Sequence, residues 1–304
     1  MHTLITGGAG FIGSHTARLL LDRGHQVTVL DNLSGGKREN LPDHARLRLV
    51  VGDITDPAAV TDALDGTDRV LHLAAQVSVA ASVEDPIRSC RDNLLGFISV
   101  LDAARCAGVG RFVYASSAAV YGQPAELPLR ETSATAPASP YGLEKLVNDQ
   151  YAALYRELHG LSSLGMRYFN VYGPGQDPKS PYSGVISVFV DRLRSGNPLT
   201  VHGDGQQTRD FVYVGDVAAA NLAALTGTAQ GVLNVGTGSS CTLLELIAAL
   251  GRVAGVTPVV NHAPARDGDI RHSAMSAARL EGEFGAKATT PLDQGLRALW
   301  EHGQ

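Results

Sequence analysis

A glycine-rich turn near the start of the chain constrains the fold more than any other feature of the sequence. The segment Gly7-Gly8-Ala9-Gly10-Phe11-Ile12-Gly13 follows a short apolar stretch and opens a helical run to Arg23. In such a strand–turn–helix unit Gly7 permits a tight turn, Gly10 lets the backbone approach a pyrophosphate, and Gly13 allows close helix–strand packing. The helix N-terminus then presents unpaired N–H groups to the phosphates. The segment therefore predicts a dinucleotide-binding βα unit.

The second apolar stretch ends in an acidic residue at the distance expected for a contact with the ribose. Val27 to Leu30 is predicted as a strand, and Asp31 follows it. A carboxylate accepts hydrogen bonds from a ribose 2′-hydroxyl and repels a 2′-phosphate. Lys37 and Arg38 lie nearby, but we interpret them as a solvated loop because the acid stands at the strand end itself. The sequence therefore favours NAD over NADP.

Apolar strands alternate with helical segments through the first half of the chain. We predict strands at 2–6, 26–30, 47–51, 69–74, 111–115 and 163–168, and helices at 12–23, 57–64, 89–107 and 141–159. This alternation indicates an α/β protein with a Rossmann-type, doubly wound parallel sheet.

The pattern breaks at the turn cluster that begins at Gly173. Beyond it, short strands and Gly-rich turns mix with predicted helices near 183–195, 214–226 and 242–254. We predict an NAD-binding Rossmann domain at 1–172, to which some later segments cross back. A smaller α/β substrate-binding lobe is predicted mainly at 173–304.

Composition excludes several classes of function. The 304 residues carry a formal net charge of −5, which gives no basic footprint for nucleic acid or an anionic membrane surface. No apolar run approaches the ~20 residues of a membrane span, and the N-terminus lacks a signal peptide's layout. Cys90, Cys106 and Cys241 are odd in number and scattered. They predict reduced thiols in the cytoplasm, and no metal-ligand spacing is present.

A tyrosine and a lysine four residues apart form a candidate acid/base pair. Tyr141 and Lys145 lie in Ser-Pro-Tyr-Gly-Leu-Glu-Lys, and on a helix their side chains share one face. A free phenol has a pKa near ~10, and a neighbouring cation lowers it. Taken alone, this spacing is common and fits a packed Tyr beside a solvated Lys. The glycine-rich turn and Asp31 make the catalytic interpretation the stronger one.

Further motifs extend these observations along the chain. They are Asp31-Asn32, Gly52-Asp53-Ile54, His72-Leu73-Ala74-Ala75-Gln76, Asn93, Ala115 to Gly122, Arg167 to Pro174, Gln207 to Val212, and Arg266-Asp267-Gly268-Asp269. With the glycine-rich turn and the Tyr–Lys pair, they make the chain resemble an extended short-chain dehydrogenase/reductase. Specifically, it resembles the NAD-dependent nucleotide-sugar 4-epimerases that act on UDP-glucose or UDP-N-acetylglucosamine. The resemblance covers essentially the whole chain, and the later motifs are the more specific ones.

The resemblance implies an NAD site and a catalytic group. NAD would contact Gly7, Gly10, Phe11, Ile12, Gly13, Asp31, Asn32, Asp53, Ile54, Leu73, Ala74, Ala75, Gln76, Asn93, Tyr141, Lys145 and Tyr168. Ser117 would hydrogen-bond the sugar oxygen that loses its proton, Tyr141 would be the acid/base, and Lys145 would also bind the nicotinamide ribose. Asp53 and Ile54 would flank the adenine, although a simple strand-end turn is an equally good interpretation of them.

The resemblance also implies a UDP-sugar site. Its residues would be Val77, Ser117, Tyr141, Asn170, Val185, Val201, Arg209, Arg266, Asp269 and Ser273. Arg209 and Arg266 would clamp the diphosphate, because a guanidinium matches phosphate oxygens with a planar fork. Asp269 would hold a uridine ribose hydroxyl. In that family the position seven residues after the clamping arginine gates the C2 substituent, and the small Ser273 there implies N-acetylated sugars.

The implied reaction is inversion at the sugar C4 through a transient 4-keto sugar. A 4,6-dehydratase would need an acidic pair where Ala118 and Ala119 stand, which argues against dehydration. A UDP-glucuronate 4-epimerase or decarboxylase stays open, and so does an NAD-binding regulatory protein without catalysis. The family also implies a homodimer through the helices at 89–107 and 141–159. These helices carry more apolar residues than packing against one face of the sheet requires. The residues are Leu94, Leu95, Ile98, Leu101, Leu146, Val147, Tyr151 and Leu154.

Overall fold

The computed structural model describes residues 1–177, 184–265, 270–285 and 288–302. The chain divides into two units, each made of separated segments. Unit 1 comprises Met1–Gly122, Thr135–Tyr168 and Val217–Leu233. Unit 2 comprises Gln123–Ala134, Phe169–Asp216 and Asn234–Gln304. The segment 217–233 thus returns to unit 1 after the start of unit 2.

The strands are β1 (His2–Thr6), β2 (Gln26–Asp31), β3 (Leu47–Val51), β4 (Arg69–His72), β5 (Arg111–Ser117), β6 (Ser163–Tyr168), β7 (Asn170–Tyr172), β8 (Leu199–His202), β9 (Thr208–Arg209), β10 (Phe211–Tyr213), β11 (Gly231–Val235), β12 (Cys241–Thr242) and β13 (Val260–Ala263). Within the described part of the chain, the largest sheet has seven strands in the order β11-β6-β5-β4-β1-β2-β3. The strands from β6 to β3 pair in parallel, and the order reverses beside β1. The predicted doubly wound parallel sheet is confirmed.

The helices are α1 (Phe11–Asp22), α2 (Pro57–Leu64), α3 (Val79–Glu84), α4 (Pro86–Cys90), α5 (Gly96–Cys106), α6 (Pro140–His159), α7 (Val185–Arg194), α8 (Val214–Thr226), α9 (Leu243–Ala254), α10 (Ala278–Phe284) and α11 (Leu292–Glu301). In the ranges that the structure describes, none of them is both long enough and apolar enough to cross a membrane.

The helix predicted at 89–107 is in fact three consecutive pieces. It starts as α4, continues as a π-helical segment over Arg91–Leu95, and ends as α5. Such π segments often mark functional sites. At the junction Gly96 lies against Ile54, where an added Cβ would come within 2.5 Å of the Ile54 Cδ1. The wider turn places Asn93 inward, where it is 2% exposed.

Helix α6 has a clear capping residue at each end. The Ser139 hydroxyl accepts a hydrogen bond from the Gly142 N–H, and Pro140 occupies the first turn, where its missing N–H costs nothing. Gly160 ends the helix in the left-handed conformation at φ 70°. These caps set the start of α6, and therefore the place of Tyr141 in its first turn.

Unit 2 is built from small sheets and helices around its own core. The two-stranded sheets pair β7 with β10 and β8 with β13 in parallel, and β9 with β12 antiparallel. Buried apolar residues from α7, α9 and α11 pack around Leu199 and Val201 of β8. Thr242 and Glu245 form a capping box that starts α9. Helices α10 and α11 were not predicted from the sequence.

Candidate active site

The glycine-rich turn in unit 1 has the tight geometry that the sequence predicts. Gly7 has φ +68°, and a Cβ there would come within 2.7 Å of the Ala74 nitrogen. At Gly13 a Cβ would lie 2.4 Å from the Gly7 carbonyl oxygen and 2.7 Å from the Gly8 Cα. Any side chain at either position would therefore push the turn apart. Gly13 packs against the turn itself, so it closes the helix onto the loop that would meet a pyrophosphate.

Asp31 lies at the end of β2 and ties the turn to the next loop. One carboxylate oxygen accepts from the Ala9 N–H at 2.9 Å, and the other accepts from the Leu33 N–H at 2.8 Å. The Ala9 carbonyl accepts from the Lys37 N–H and from the Asn40 side-chain amide. Each Asp31 oxygen keeps further lone-pair capacity, so the carboxylate can still accept from ribose hydroxyls. Sequence reasoning missed Asn40, whose part in this turn only the fold reveals.

Asn32 and Asp53 form the next piece of this region. The Asn32 amide donates to one oxygen of Asp53 at 2.9 Å, and the Thr55 N–H and hydroxyl donate to the other at 2.9 and 2.7 Å. Burial raises the pKa of the Asp53 carboxyl, but the hydrogen bonds from Thr55 and Asn32 outweigh it and lower that pKa. Ile54 is buried and packs on Gly96. Asp53 is therefore a fixed carboxylate beside Asn32.

The loop after β4, residues 73–76, is fastened by one backbone hydrogen bond and by two side chains. The Leu73 N–H donates to the Thr6 carbonyl, and the Ala74 N–H donates to the Thr6 hydroxyl at 3.3 Å. Asn93 then pairs with the backbone of Gln76 twice: its oxygen accepts from the N–H at 2.8 Å, and its amide donates to the carbonyl at 2.9 Å. This pairing holds the loop with its small residues Ala74 and Ala75 in one conformation.

Ser117 and Tyr141 meet through their hydroxyl groups. Ser117 is the last residue of β5, and its oxygen accepts from the Ala119 N–H at 3.1 Å. The Tyr141 phenol shares a hydrogen bond with Ser117. The Tyr141 backbone N–H donates to the Ser82 hydroxyl at 3.2 Å, which fixes the first turn of α6. The two hydroxyls that the sequence predicts to act on one sugar oxygen are thus adjacent.

Lys145 lies one turn further along α6 and is buried, with 2% of its surface exposed. Its Nζ donates to the Ala115 carbonyl at 3.1 Å and is 5.8 Å from the centre of the Tyr141 ring. Burial lowers the pKa of this ammonium to about 8, although the charges of Asp149 and Glu144 oppose that shift.

The sequence predicts that Lys145 lowers the pKa of Tyr141, but the residues of the chain together raise it. Burial raises the pKa of the Tyr141 phenol above its usual value, the Ser117 hydrogen bond lowers it, and the charge of Glu144 raises it again. The net direction is upward because the phenol loses solvation when it is buried. The folded chain therefore holds Tyr141 in the protonated form, with Lys145 as the nearby cation.

A buried ion pair that the sequence did not predict lies behind Lys145. Arg167 donates to Asp149 at 3.0 Å, and both side chains are 6% exposed. The other Asp149 oxygen accepts from the Tyr114 hydroxyl at 3.0 Å. Arg167 also donates to the Tyr121 hydroxyl at 2.8 Å and lies 4.9 Å from the centre of that ring. Asp149 is thus partnered on both oxygens, which is what a buried charge requires.

The predicted substrate residues of unit 2 lie partly around one cavity. A cavity of about 220 Å³ is lined by Asn170, Tyr172, Gln176, Val185, Arg209 and Phe211, among others. Val201 is instead wholly buried in the core of this unit. Three of the predicted residues of unit 2, Asn170, Val185 and Arg209, are thus brought together, and Val201 packs behind them.

Asp210 holds the strands that carry Asn170 and Arg209. Its backbone carbonyl accepts from both the N–H and the side-chain amide of Asn170, each at 3.1 Å. Its fully buried carboxylate accepts from the Thr237 N–H and hydroxyl and from the Gly238 N–H at 2.8–2.9 Å. Burial outweighs these bonds and raises the pKa of the Asp210 carboxyl.

Ser273 lies beside the strand of Arg209 and is 8% exposed. Its N–H donates to the Thr208 carbonyl at 3.1 Å, and the Arg209 guanidinium donates to that same carbonyl at 2.8 Å. Arg266 and Asp269, the other predicted contacts of the nucleotide, lie outside the described residues.

Two further predicted residues belong to unit 1. Val77 is 57% exposed after the 73–76 loop. The Tyr168 hydroxyl donates to the Asn221 side chain at 2.6 Å, and burial raises the pKa of that phenol far above its usual value. Tyr168 is therefore a neutral, buried side chain of β6.

The fold and these contacts define an NAD-binding protein with a hydroxyl–phenol–ammonium centre, and comparison with known proteins identifies its family. The chain belongs to the NAD dependent epimerase/dehydratase family, which matches residues 3–236. Its cofactor is NAD, and the glycine-rich turn, Asp31 and the fastened 73–76 loop fit that cofactor. NAD would be held there by residues of unit 1.

Individual relatives are similar over almost the whole chain. A UDP-glucose 4-epimerase of Mycolicibacterium smegmatis is 38% identical over 97% of this chain and 96% of that protein. A structure of UDP-glucose 4-epimerase from Thermus thermophilus in complex with NAD is 41% identical, covers 99% of this chain and 98% of its own, and has a TM-score of 0.92. A UDP-N-acetylglucosamine 4-epimerase from Methanobrevibacter ruminantium, solved with UDP-N-acetylmuramic acid, has 35% identity, coverage of 99% and 97%, and a TM-score of 0.95.

Proposed function

We propose that this protein is a UDP-sugar 4-epimerase with tightly bound NAD, an isomerase that inverts C4 of a UDP-hexose. The observation that carries the proposal is the meeting of Ser117, Tyr141 and Lys145 in unit 1. The Ser117–Tyr141 hydrogen bond and the buried ammonium 5.8 Å from the Tyr141 ring centre supply a proton-transfer group beside a cation. The relatives named above, of similar length, support the choice of a UDP-sugar as substrate.

In this proposal Tyr141 exchanges one proton with the sugar O4. Tyr141 as a phenolate takes the proton of the 4-hydroxyl, Ser117 holds the same oxygen, and Tyr141 later returns the proton after the 4-keto sugar has turned over. NAD, held by the glycine-rich turn, Asp31 and the 73–76 loop, would supply the reversible hydride chemistry at C4. The net change is inversion without net oxidation, and it requires no metal ligand from the chain.

In this proposal Lys145 and the positive nicotinamide of bound NAD would together stabilise the Tyr141 phenolate near neutral pH. Bringing a phenol from a pKa of ~10 to ~7 takes roughly 4 kcal/mol of selective stabilisation, at ~1.4 kcal/mol per unit. The raised pKa of Tyr141 makes the requirement larger. The Lys145 ammonium is the cation of the chain placed to meet it, and it is protonated below a pKa of about 8. Its bond to the Ala115 carbonyl keeps the charge at the active site.

We further propose that the preferred pair is UDP-N-acetylglucosamine and UDP-N-acetylgalactosamine, with UDP-glucose and UDP-galactose as poorer substrates. The support is the small side chain of Ser273, the residue that the family resemblance implies as the gate of the C2 substituent. Its N–H is bonded to the Thr208 carbonyl, which also accepts from the proposed diphosphate ligand Arg209. An acetamido group needs more room than a hydroxyl, and a serine there leaves that room.

We also propose a homodimer through the helices at 89–107 and 141–159. Exposed apolar side chains on this part of unit 1 support it: Leu95 is 58%, Leu154 46% and Leu158 65% exposed. Of the residues expected to form the interface, Leu101 instead lies in the unit's own core. Covering the exposed leucines is the gain that a two-fold interface would provide. Light scattering at micromolar concentration should give twice the chain mass, and a monomer would end this part of the proposal.

The activity is tested by a product assay on the purified protein. UDP-glucose, UDP-galactose, the two N-acetylated counterparts and UDP-glucuronate are supplied separately, and products are resolved by chromatography or NMR. We expect interconversion of the N-acetylated pair at the highest kcat/KM. Conversion confined to UDP-glucuronate, or loss of its carboxylate, would replace the proposal by a uronate enzyme. NAD binding without turnover of any of the five sugars would indicate a regulatory protein.

A further inference from the structure

Glu144, between the two catalytic residues in the chain, has a function that the reaction scheme does not assign. We propose that Glu144 is a positioning residue that fastens the 73–76 loop to the catalytic helix and places a negative charge beside Tyr141 and Lys145. The inference rests on the proposed epimerase reaction for its kinetic part. Its cofactor-binding part stands on the contacts within unit 1 alone.

The carboxylate is buried and fully directed inward. Glu144 is 6% exposed, and a single oxygen, Oε2, accepts from the Ser89 hydroxyl at 2.8 Å and from the Asn93 amide at 2.8 Å. Ser89 and Asn93 are themselves 1% and 2% exposed. Because an exposed helix position would suit a glutamate far better, this burial needs the two hydrogen bonds to be tolerable.

Asn93 carries the effect of Glu144 to the cofactor loop. Its amide nitrogen donates both to Glu144 and to the Gln76 carbonyl, while its oxygen accepts from the Gln76 N–H. An asparagine amide can rotate by half a turn and exchange its oxygen and nitrogen, but an acceptor-only carboxylate at 2.8 Å permits just one orientation. The Gln76 N–H and carbonyl require that same orientation, and Glu144 helps to hold Asn93 in it. A second bond, from Asn148 to the Asn93 carbonyl, ties the same segment to α6.

The charge of Glu144 acts on both catalytic groups in one direction. It raises the pKa of the Tyr141 phenol and it raises the pKa of the Lys145 ammonium. Both groups hold their protons more tightly with a carboxylate nearby. On its own helix the other charge near Lys145 is Asp149, which also raises the pKa of Lys145.

The remaining titratable groups lie on other sides of the pair. Strand β4 brings His72 within range of the Lys145 charge, and β5 and β6 bring Tyr114 and Arg167 to Asp149. The segments that pack on Glu144 present the neutral Ser89 and Asn93. The exposed charged residues of those segments are Glu84, Asp85, Arg88 and Arg91, and the partly buried Asp92 is paired with Arg88 at 3.7 Å. Glu144 is therefore the buried charge that the 79–95 region faces.

The variant Glu144→Gln separates the two roles. Its carbonyl oxygen can accept from Ser89 and Asn93 as the carboxylate does, but its charge is gone. NAD affinity, measured by fluorescence titration of the NAD-free protein, should stay within about twofold of wild type, because the hydrogen bonds persist. Both limbs of the pH profile of kcat/KM should move to lower pH. Glu157→Gln, an exposed glutamate on the same helix, is the matched control and should move neither limb.

Glu144→Ala and Asn93→Ala test the anchor. Each leaves buried polar groups unpaired at the loop, so NAD affinity should fall roughly 5- to 100-fold. The double variant should lose little more than either single variant, because both break the same connection. Thermal unfolding checks that each variant is folded, and Asn93→Ala alone tests the anchor if Glu144→Ala does not fold.

The outcomes separate this inference from the proposed function. A wild type that epimerises no UDP-sugar would overturn the epimerase proposal, while the NAD titrations would still test the anchor. Wild-type NAD affinity in Glu144→Ala, or in Asn93→Ala where Glu144→Ala does not fold, would overturn the anchor. A pH profile of Glu144→Gln that coincides with wild type would overturn the role of the charge, even in a fully active epimerase.

Discussion

The Nζ of Lys145 lies over the Tyr141 ring, 5.8 Å from its centre, and donates to the Ala115 carbonyl at 3.1 Å. The cation therefore acts on the phenol through space and has its own hydrogen-bond partner. Burial raises the pKa of the phenol and lowers the pKa of the ammonium. Burial therefore disfavours the charged form of each group. In such a buried site, a charge on one of the two groups has a large effect on the pKa of the other.

This arrangement predicts an alkaline limb in the activity. The Lys145 ammonium, with a pKa of about 8, loses its proton as the pH rises through that value, and the phenolate loses its cation. In the NAD-bound enzyme with Tyr141 as the phenolate, we expect kcat/KM to fall by about tenfold per pH unit well above the limb. Lys145→Met should have low activity at every pH and no such limb. A wild-type profile that stays flat to strongly alkaline pH would show that the Lys145 charge is not required.

A second prediction concerns the free energy of unfolding in acid. Burial, together with the charge of Lys145, lowers the pKa of His72 to about 3, whereas an unfolded histidine has 6.5. The unfolded chain therefore binds an extra proton between these values, so stability is retained above pH 6.5 and is lost as the pH falls below it. The loss from this group is about 2 kcal/mol at about pH 5.

Urea unfolding at several pH values measures this effect. His72→Gln should flatten the slope of unfolding free energy between about pH 6.5 and about pH 4, whatever its effect at neutral pH. His302→Gln, at an exposed histidine, is the control and should keep the wild-type slope. Parallel slopes for wild type and His72→Gln would contradict a neutral, buried His72.

The buried ion pair behind Lys145 gives a third prediction. Arg167→Met leaves the buried Asp149 carboxylate without its cation, which should cost about 3–5 kcal/mol of unfolding free energy. Arg48→Met breaks the exposed pair between Arg48 and Asp62, whose atoms lie 2.6 Å apart, and should cost less than ~1 kcal/mol. Both are measured by urea unfolding at neutral pH. Similar losses of unfolding free energy in the two variants would contradict a larger contribution from the buried Arg167–Asp149 pair.

The sequence predicted the fold well because its signals were local. Strands β1, β3 and β6 have the predicted bounds, since each is a short apolar run between turn residues. Helix α6 was predicted within one residue because Ser139, Pro140 and Gly160 mark its ends. The helix at 89–107 was predicted as continuous because nothing in its residue types marks a π segment. Where the segment ends, Gly96 packs against Ile54, a tertiary contact that residue types in the helix do not reveal.

The candidate site, like the fold, contains residues that local sequence signals predict and residues that only tertiary packing reveals. Ser117, Tyr141 and Lys145 were found by motif and lie together in unit 1. Asp149 and Arg167, or Glu144 and Asn93, are separated by 18 and 51 positions, and only the packing of α6 on its neighbours brings them together. The direction of the Tyr141 pKa was also missed, because burial of a particular ring is a tertiary property. The spacing of residues along α6 shows which side chains neighbour Tyr141, but it does not show how far the phenol is removed from water.

A fourth prediction tests the choice of sugar. Ser273→Tyr should lower kcat/KM for the N-acetylated pair far more than for UDP-glucose and UDP-galactose, because overfilling a packed position costs ~1–3 kcal/mol. Ser273→Ala keeps the small volume and is the control; it should preserve the ratio between the two pairs. Equal losses on both pairs after Ser273→Tyr, or a wild type inactive on N-acetylated sugars, would rule out a gate at this position.

The central claim is that the Tyr141 phenol is the acid/base of a 4-epimerase, and Tyr141→Phe tests it most directly. The change removes one hydroxyl and leaves the ring, Lys145 and the NAD-binding residues in place. The measurement is kcat with UDP-N-acetylglucosamine, beside an NAD titration of the same preparation. We predict a fall of ~10²–10⁴-fold in kcat with NAD still bound, the usual contribution of a placed proton-transfer group. Near wild-type kcat in Tyr141→Phe with NAD bound would contradict the account.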